Sequence, residues 1–552
     1  MEDMEDNSQR LFGQLPPEIT ERIVGRLDRN EVAGTVRLVN KGAAAQFRGP
    51  EHTTIRLSQP VPPHAFAARW LARGATRRMT LWQRRQLLCL TATSGVVANL
   101  DTALQATGCA LTYEVFHATA ASGQLETCQW LLERGCPTSK QYGDSSGLLA
   151  AAAGGGHRHV CEWLLSLDLV WSSGGADAAA HGGHVGLMEW LRQWRPQLRV
   201  SLGAKEEQRA LIEGAAHGCE LPMLQRVWRD AVAEGLHDEA KLAALAAAAG
   251  SPTPDWAAKL EWLEAQGCRP EDSMMAAVAA ASRPGADAVT RLTWLRHQGY
   301  PVWEGALHEV ARKGNLEAVQ YLLATLVQPP GHTASAAAQN AAGRGQLAAL
   351  KALHAAGWPV NAPSVAVRAA HGGHLHVLAW LVEAFGEAAA VRPGAELFDT
   401  AAETGSVEML AWLRSRGCEW GPGTFFRTSQ SGCEAALEWL VEQGCPFPGE
   451  STASACYASA CRNGDLATAR CLARLGCPWG ADGRAFQVAL EAAEAPVAAL
   501  RWLLEAGCPV DLAATRAELQ ERVEQQGASA SVRPFRGRLS PIEALERLGQ
   551  LV

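Results

Sequence analysis

Along most of the chain, apolar positions recur at helical spacing within short segments punctuated by glycine. Leu125, Cys128, Leu131 and Leu132 fall on one face of a segment that starts after Gly123 and closes at Gly135-Cys136-Pro137. That spacing predicts a short amphipathic helix. The second glycine supplies a left-handed cap that residues with a Cβ adopt poorly, and the proline keeps the helix from resuming. Upstream of the first glycine lies an alanine-rich stretch, as in Phe116 to Ser122 or Leu397 to Thr404, which predicts a helix packed closely through small side chains. The unit is therefore a helix pair, and a lone pair cannot bury its stripe.

The phrase returns. Gly405-Ser406-Val407-Glu408 leads to Trp412-Leu413 and Gly417-Cys418, and Gly432 leads to Trp439-Leu440 and Gly444-Cys445-Pro446. With Trp130-Leu131, these are the clearest copies. Weaker ones centre on Trp163, Trp190, Trp228, Trp262, Trp294, Tyr321, Ala352, Trp380, Cys471 and Trp502. The mean step of about 31 residues is close to the roughly 33 of an ankyrin unit. Ala306-Leu307-His308-Glu309-Val310-Ala311 followed by Gly314-Asn315 resembles the ankyrin phrase in which Leu-His opens the first helix and a glycine turn begins the second. The expectation is an all-α, ankyrin-type helix-pair solenoid over 87–511. Trp130, Trp163, Trp190, Trp262, Trp294, Trp380, Trp412, Trp439 and Trp502 are expected to fill the core between units. Several steps shorten to about 27 or 28 residues, which shortens the hairpin finger between units and makes the concave helix face the better partner surface.

A different pattern stands at the N-terminus. Leu15-Pro16-Pro17-Glu18-Ile19 opens a helix, with Ile19, Ile23 and Leu27 one turn apart, and Val36 to Lys41 follows as Val-Arg-Leu-Val-Asn-Lys before Phe47. This resembles the F-box, a short helical motif. The resemblance implies docking on a Skp-type adaptor and, through it, a cullin complex, with Leu15, Pro16, Ile19, Ile23, Leu27, Val36, Leu38 and Val39 as the adaptor-binding residues. The motif spans 11–48. A connector, 49–86, contains Pro50, Pro60, Pro62 and Pro63 and then a basic cluster. A capping helix and loose tail are expected over 512–552.

Composition then narrows function. At 552 residues the chain exceeds one compact core, and 47% hydrophobic against 19% charged residues excludes a disordered chain. The net charge of −7, with no long basic stripe, argues against a nucleic-acid partner. No uninterrupted apolar run of about 18 residues argues for a membrane span, so no membrane partner is expected. The acidic, polar start lacks an apolar signal core, and the 15 cysteines are read as reduced thiols in a cytoplasmic or nuclear protein. His181-Gly182-Gly183-His184 and His371-Gly372-Gly373-His374 have the look of metal-ligand clusters. Both fall at the turn where ankyrin units carry Gly-His, so no metal and no cofactor is expected. No Cys-x-x-Cys pair or phosphate loop occurs, and no catalytic residue is assigned. The leading function is a ligase substrate receptor holding a protein client on the repeats. A plain ankyrin scaffold is the alternative. An enzyme such as a lipid phosphodiesterase ranks last, for want of any nucleophile, base and orienter set.

Overall fold

The computed structural model describes residues 16–140, 145–327, 333–391, 395–480, 483–491 and 497–526. Among these the chain is all-helical, with extended pairing confined to isolated bridges such as Ser146 with Trp171. The helices come in pairs that form a repeat array, and the chain divides into two compact units. One comprises Ser139–Cys456, the other Met1–Thr138 together with Tyr457–Val552.

In Ser139–Cys456 the first helices of successive pairs stack on one another, Ala176–His181 on Ala204–Gly218 and that on Asp238–Ala249. Small residues make the stacking close. A Cβ on Gly218 would stand 2.1 Å from the carbonyl oxygen of His181, and one on Gly214 2.4 Å from that of Asp177. Alanine pairs near the ends of these helices, such as Ala179-Ala180, Ala215-Ala216 and Ala369-Ala370, are fully buried. The second helices form their own row, Gly285–His297 on Leu316–Thr325 on Leu347–Ala355.

In the clearest copies both glycines do what the sequence requires of them. Gly123 and Gly135 take φ of 75° and 73°. At the second turn the Cys136 amide donates to Leu131 O at 2.9 Å, and Cys445 does the same to Leu440 O. This is the 6→1 bond of a Schellman cap, whose partner position favours an apolar side chain. The cysteine of Gly-Cys-Pro fills that place: Cys136, Cys418, Cys445 and Cys508 are all buried. Burial pushes the Cys445 thiol up to about 11 and those of Cys128 and Cys161 to about 12.

The repeat tryptophans take a different place from their neighbours. Leu131, Leu164, Leu191, Leu263, Leu295, Leu413, Leu440 and Leu503, each following a tryptophan, are fully buried. Trp130, Trp163, Trp190, Trp262, Trp294, Trp412, Trp439 and Trp502 are half-buried, and Trp380 is buried. Adjacent residues on a helix point about 100° apart, so one faces the centre and the other the seam. At the seam arginines cover the rings, with the Arg416 guanidinium 3.9 Å from the Trp412 centroid and Arg134 4.6 Å from Trp130.

The other unit starts with short helices, Pro17–Val24 and Lys41–Gln46 among them. Within 49–86 the chain forms the helix Pro63–Trp70 and the start of Leu81–Thr93, which packs on Val97–Thr107 and Tyr113–Ala121. From the C-terminal part come Leu466–Leu475, Val497–Glu505 and the final helix Leu512–Gln526. The tail expected beyond 526 lies outside the described residues. No helix among the described residues is long and apolar enough to cross a membrane.

Candidate docking module and repeat contacts

Residues 16–60 form a small module closed by Val24, Val32, Val36 and Phe47, with Leu27 packed against them. Leu27 reaches this core because the first helix stops at Val24 and the next residues turn tightly, Leu27 N–H donating to Val24 O. The three residues aligned by the sequence spacing thus part company. Ile19 and Ile23 remain 41% and 44% exposed on Pro17–Val24. Leu38, 75% exposed, and Val39 are presented to solvent by the turn Arg37–Val39, and Pro16 is exposed too. Val36 is buried in the module core. Leu15 lies outside the described residues.

Two asparagines that the sequence pattern did not single out tie the module to the repeats. Asn30 is buried, and its Nδ2 donates to Arg56 O at 2.8 Å and to Pro60 O at 3.0 Å while its Oδ1 accepts from Arg56 N–H. Asn99, buried on Val97–Thr107, donates to Val61 O at 2.8 Å. The segment 56–61 is therefore strapped at both ends, Asn30 holding the carbonyls of Arg56, Gln59 and Pro60 and Asn99 that of Val61.

The same unit holds a contact between distant parts of the chain. Arg84, 1% exposed, forms a bidentate pair with Asp465, each N–O distance 2.8 Å, and also donates to Thr107 O. Asp465 accepts from the Thr468 amide and hydroxyl, capping the helix Leu466–Leu475. Main chain joins in, Ala110 N–H donating to Gly464 O and Leu466 N–H to Gly108 O. A Cβ on Gly464 would come within 2.5 Å of Ala110 Cβ, so glycine is required here for approach as well as for its φ of 63°. A sequence signal existed. Asp465 stands at the turn position that other copies fill with Gln124, His157, His184, Asn315 or Ser406.

Buried cations recur at one further position. Lys259, fully buried, donates to Ala216 O, Ser251 Oγ and Thr253 Oγ1 at 3.0, 3.0 and 2.7 Å. Arg291, one repeat later, donates to Ala249 O at 2.8 Å. Each satisfies a carbonyl at the C-terminal turn of the preceding first helix, where the helix dipole favours positive charge. Burial lowers the pKa of both.

The histidine runs are divided between neighbours. The His184 ring occupies the space a Cβ on Gly156 would enter, at 2.6 Å, and His374 stands in the same relation to Gly345 at 2.5 Å. His181 stacks on His217 with centroids 3.8 Å apart, while His371 approaches Glu403 at 3.4 Å. The two histidines of each run thus pack in different inter-repeat contacts. Burial, followed by the neighbouring His181, lowers the His217 pKa to about 4.

These features define a helical-repeat protein with an appended N-terminal module. No family model and no curated protein matches the chain. Among solved structures, the pentatricopeptide repeat protein PPR10 in complex with an 18-nt psaJ RNA element is similar at 14% identity over 97% of this chain and 75% of that one, with a TM-score of 0.33. The structure of PPR10 from maize is similar at 13% identity over 99% and 88%, with a TM-score of 0.24. These likenesses assign no partner to this chain. They do correct one expectation: the exclusion of nucleic acid does not stand, since a helical-repeat protein is found there with RNA bound.

Proposed function

We propose that this chain is the substrate receptor of a cullin-RING ubiquitin ligase of the F-box type, with ankyrin-type repeats that hold a protein client. The observation that carries this reading is the set of exposed apolar side chains, Ile19, Ile23, Leu38 and Val39, on a module whose core is already closed without them. The module core needs none of these four side chains, which leaves them available to an apolar partner. In this reading the adaptor covers them. The repeats supply the client surface, as stacked arrays commonly do, and no chemistry by the chain itself is needed. A plain scaffold remains the second reading, favoured by the inward packing of Leu27 and Val36, which leaves a smaller grip than the sequence implied.

Affinity purification of the chain from cells, followed by identification of bound proteins, tests the proposal. Wild type should bring down a Skp-type adaptor and a cullin. Ile19→Glu with Ile23→Glu should lose both while keeping its other partners, because charge would have to be buried in the contact. Recovery of specific clients without adaptor or cullin by the wild type would replace the ligase reading with the scaffold.

A further inference from the structure

Charge is unevenly spread along this acidic protein. Between Glu51 and Asp101 there is no acidic residue at all, yet seven arginines fall in that interval. Arg84 pairs with Asp465 and Arg85 donates to Asn463 O inside the unit. Arg69, Arg73, Arg77 and Arg78 are exposed, at the end of the helix Pro63–Trp70 and on the turns that follow.

Those turns are built. Ala75, Arg77 and Met79 amides donate in succession to the carbonyls of Ala72, Gly74 and Thr76, with Gly74 at a φ of 74°. The buried Thr76 hydroxyl donates to Ala106 O at 2.9 Å and fixes the whole stretch against the helix Val97–Thr107. The arginines therefore stand on an ordered backbone. Immediately after them, Trp82 is 68% exposed, the most exposed tryptophan among the described residues. It points outward because Leu81 and Arg84 on the same helix are buried, and helical phase leaves position 82 on the solvent side. Trp70 lies nearby in sequence, its ring covered by the Arg69 guanidinium at 4.9 Å.

Four arginines on a fixed backbone answer phosphates, and an exposed ring beside them answers a flat base. An acidic peptide would use the arginines and leave Trp82 without a role. We propose that this surface binds single-stranded nucleic acid, with phosphates on Arg69, Arg73, Arg77 and Arg78 and a base stacked on Trp82. It is independent of the adaptor reading, which concerns other residues.

The test is fluorescence anisotropy of the full chain with a labelled, mixed-sequence RNA strand of about twenty nucleotides at several salt concentrations, a length that exceeds common single-strand site sizes. Wild type should bind, and increasingly weakly as salt rises. Arg73→Ala with Arg77→Ala and Arg78→Ala should reduce the log–log salt slope by about 2, at roughly 0.7 per phosphate contact on a single strand. Trp82→Ala should weaken binding about tenfold with the slope unchanged, within the range for loss of one stacked base. All four positions are exposed, and a cooperative melting transition, measured for each variant, shows that it is folded. Absence of binding at low salt overturns the proposal. So does wild-type affinity in Trp82→Ala, or competition by poly-glutamate equal to that by unlabelled RNA, either of which would make this a surface for acidic protein.

Discussion

At the scale of single residues, the buried polar groups carry the most specific consequences. His217 is held neutral in the folded protein by burial and by the ring of His181 stacked 3.8 Å away. Its folded pKa of about 4 lies below the ordinary histidine value of 6.5. Between these two values the unfolded chain takes up a proton that the folded chain refuses, so this residue's contribution to stability is complete above about pH 6.5 and declines as pH falls toward 4. Hydrogen exchange at the ends of the helices Ala176–His181 and Ala204–Gly218 should therefore accelerate from pH 7 to pH 5, once corrected for intrinsic rates. His217→Gln should flatten that dependence. An unchanged pH profile in the variant would remove His217 as its source.

At the scale of elements, the pairing of Arg84 with Asp465 locks the helix Leu81–Thr93 to the turn before Leu466–Leu475. Removing either partner alone leaves a buried charge uncompensated, and Arg84→Ala or Asp465→Ala should each destabilise this unit by about 3 to 5 kcal/mol. Arg84→Met with Asp465→Leu should recover most of the loss, because the uncompensated charge is gone. A double-mutant cycle by denaturant unfolding, with exchange measured on both helices, checks this; additive single losses would contradict it. The sequence did not disclose this contact. Glycine turns and apolar stripes leave a periodic trace, so the helix pairs, the Schellman cysteines and the alanine-lined first helices were legible. An ion pair spanning 381 positions leaves none, beyond an aspartate where other copies carry Gln, His, Asn or Ser. The tryptophans were legible as a repeat position but not as a depth, since the leucine after each one takes the centre. The spacing of Ile19, Ile23 and Leu27 marked a helix without marking its end at Val24, which turns Leu27 inward.

At the scale of the whole molecule, the chain leaves one unit at Thr138 and returns to it at Tyr457. A repeat array coupled only between neighbours would tolerate removal of its last members with damage confined to the adjoining repeats. Here the first helices of the array share a unit with the last ones, so a truncation before Gly464 would strip Arg84 of its partner and reach the segment that carries the docking module. The proposed docking and client-binding roles are therefore better separated with surface substitutions than with deletions. The central claim is that the exposed apolar side chains of the N-terminal module are a grip for a ligase adaptor. Its most direct measurement is calorimetric titration of the purified full chain with a purified Skp-type adaptor, wild type against Leu38→Asp, a change at a position already in solvent and so harmless to folding. The account predicts saturable binding with a negative heat-capacity change, as burial of apolar surface requires, and its loss in the variant. No heat of binding from a folded wild-type chain, or equal binding by both proteins, would contradict it.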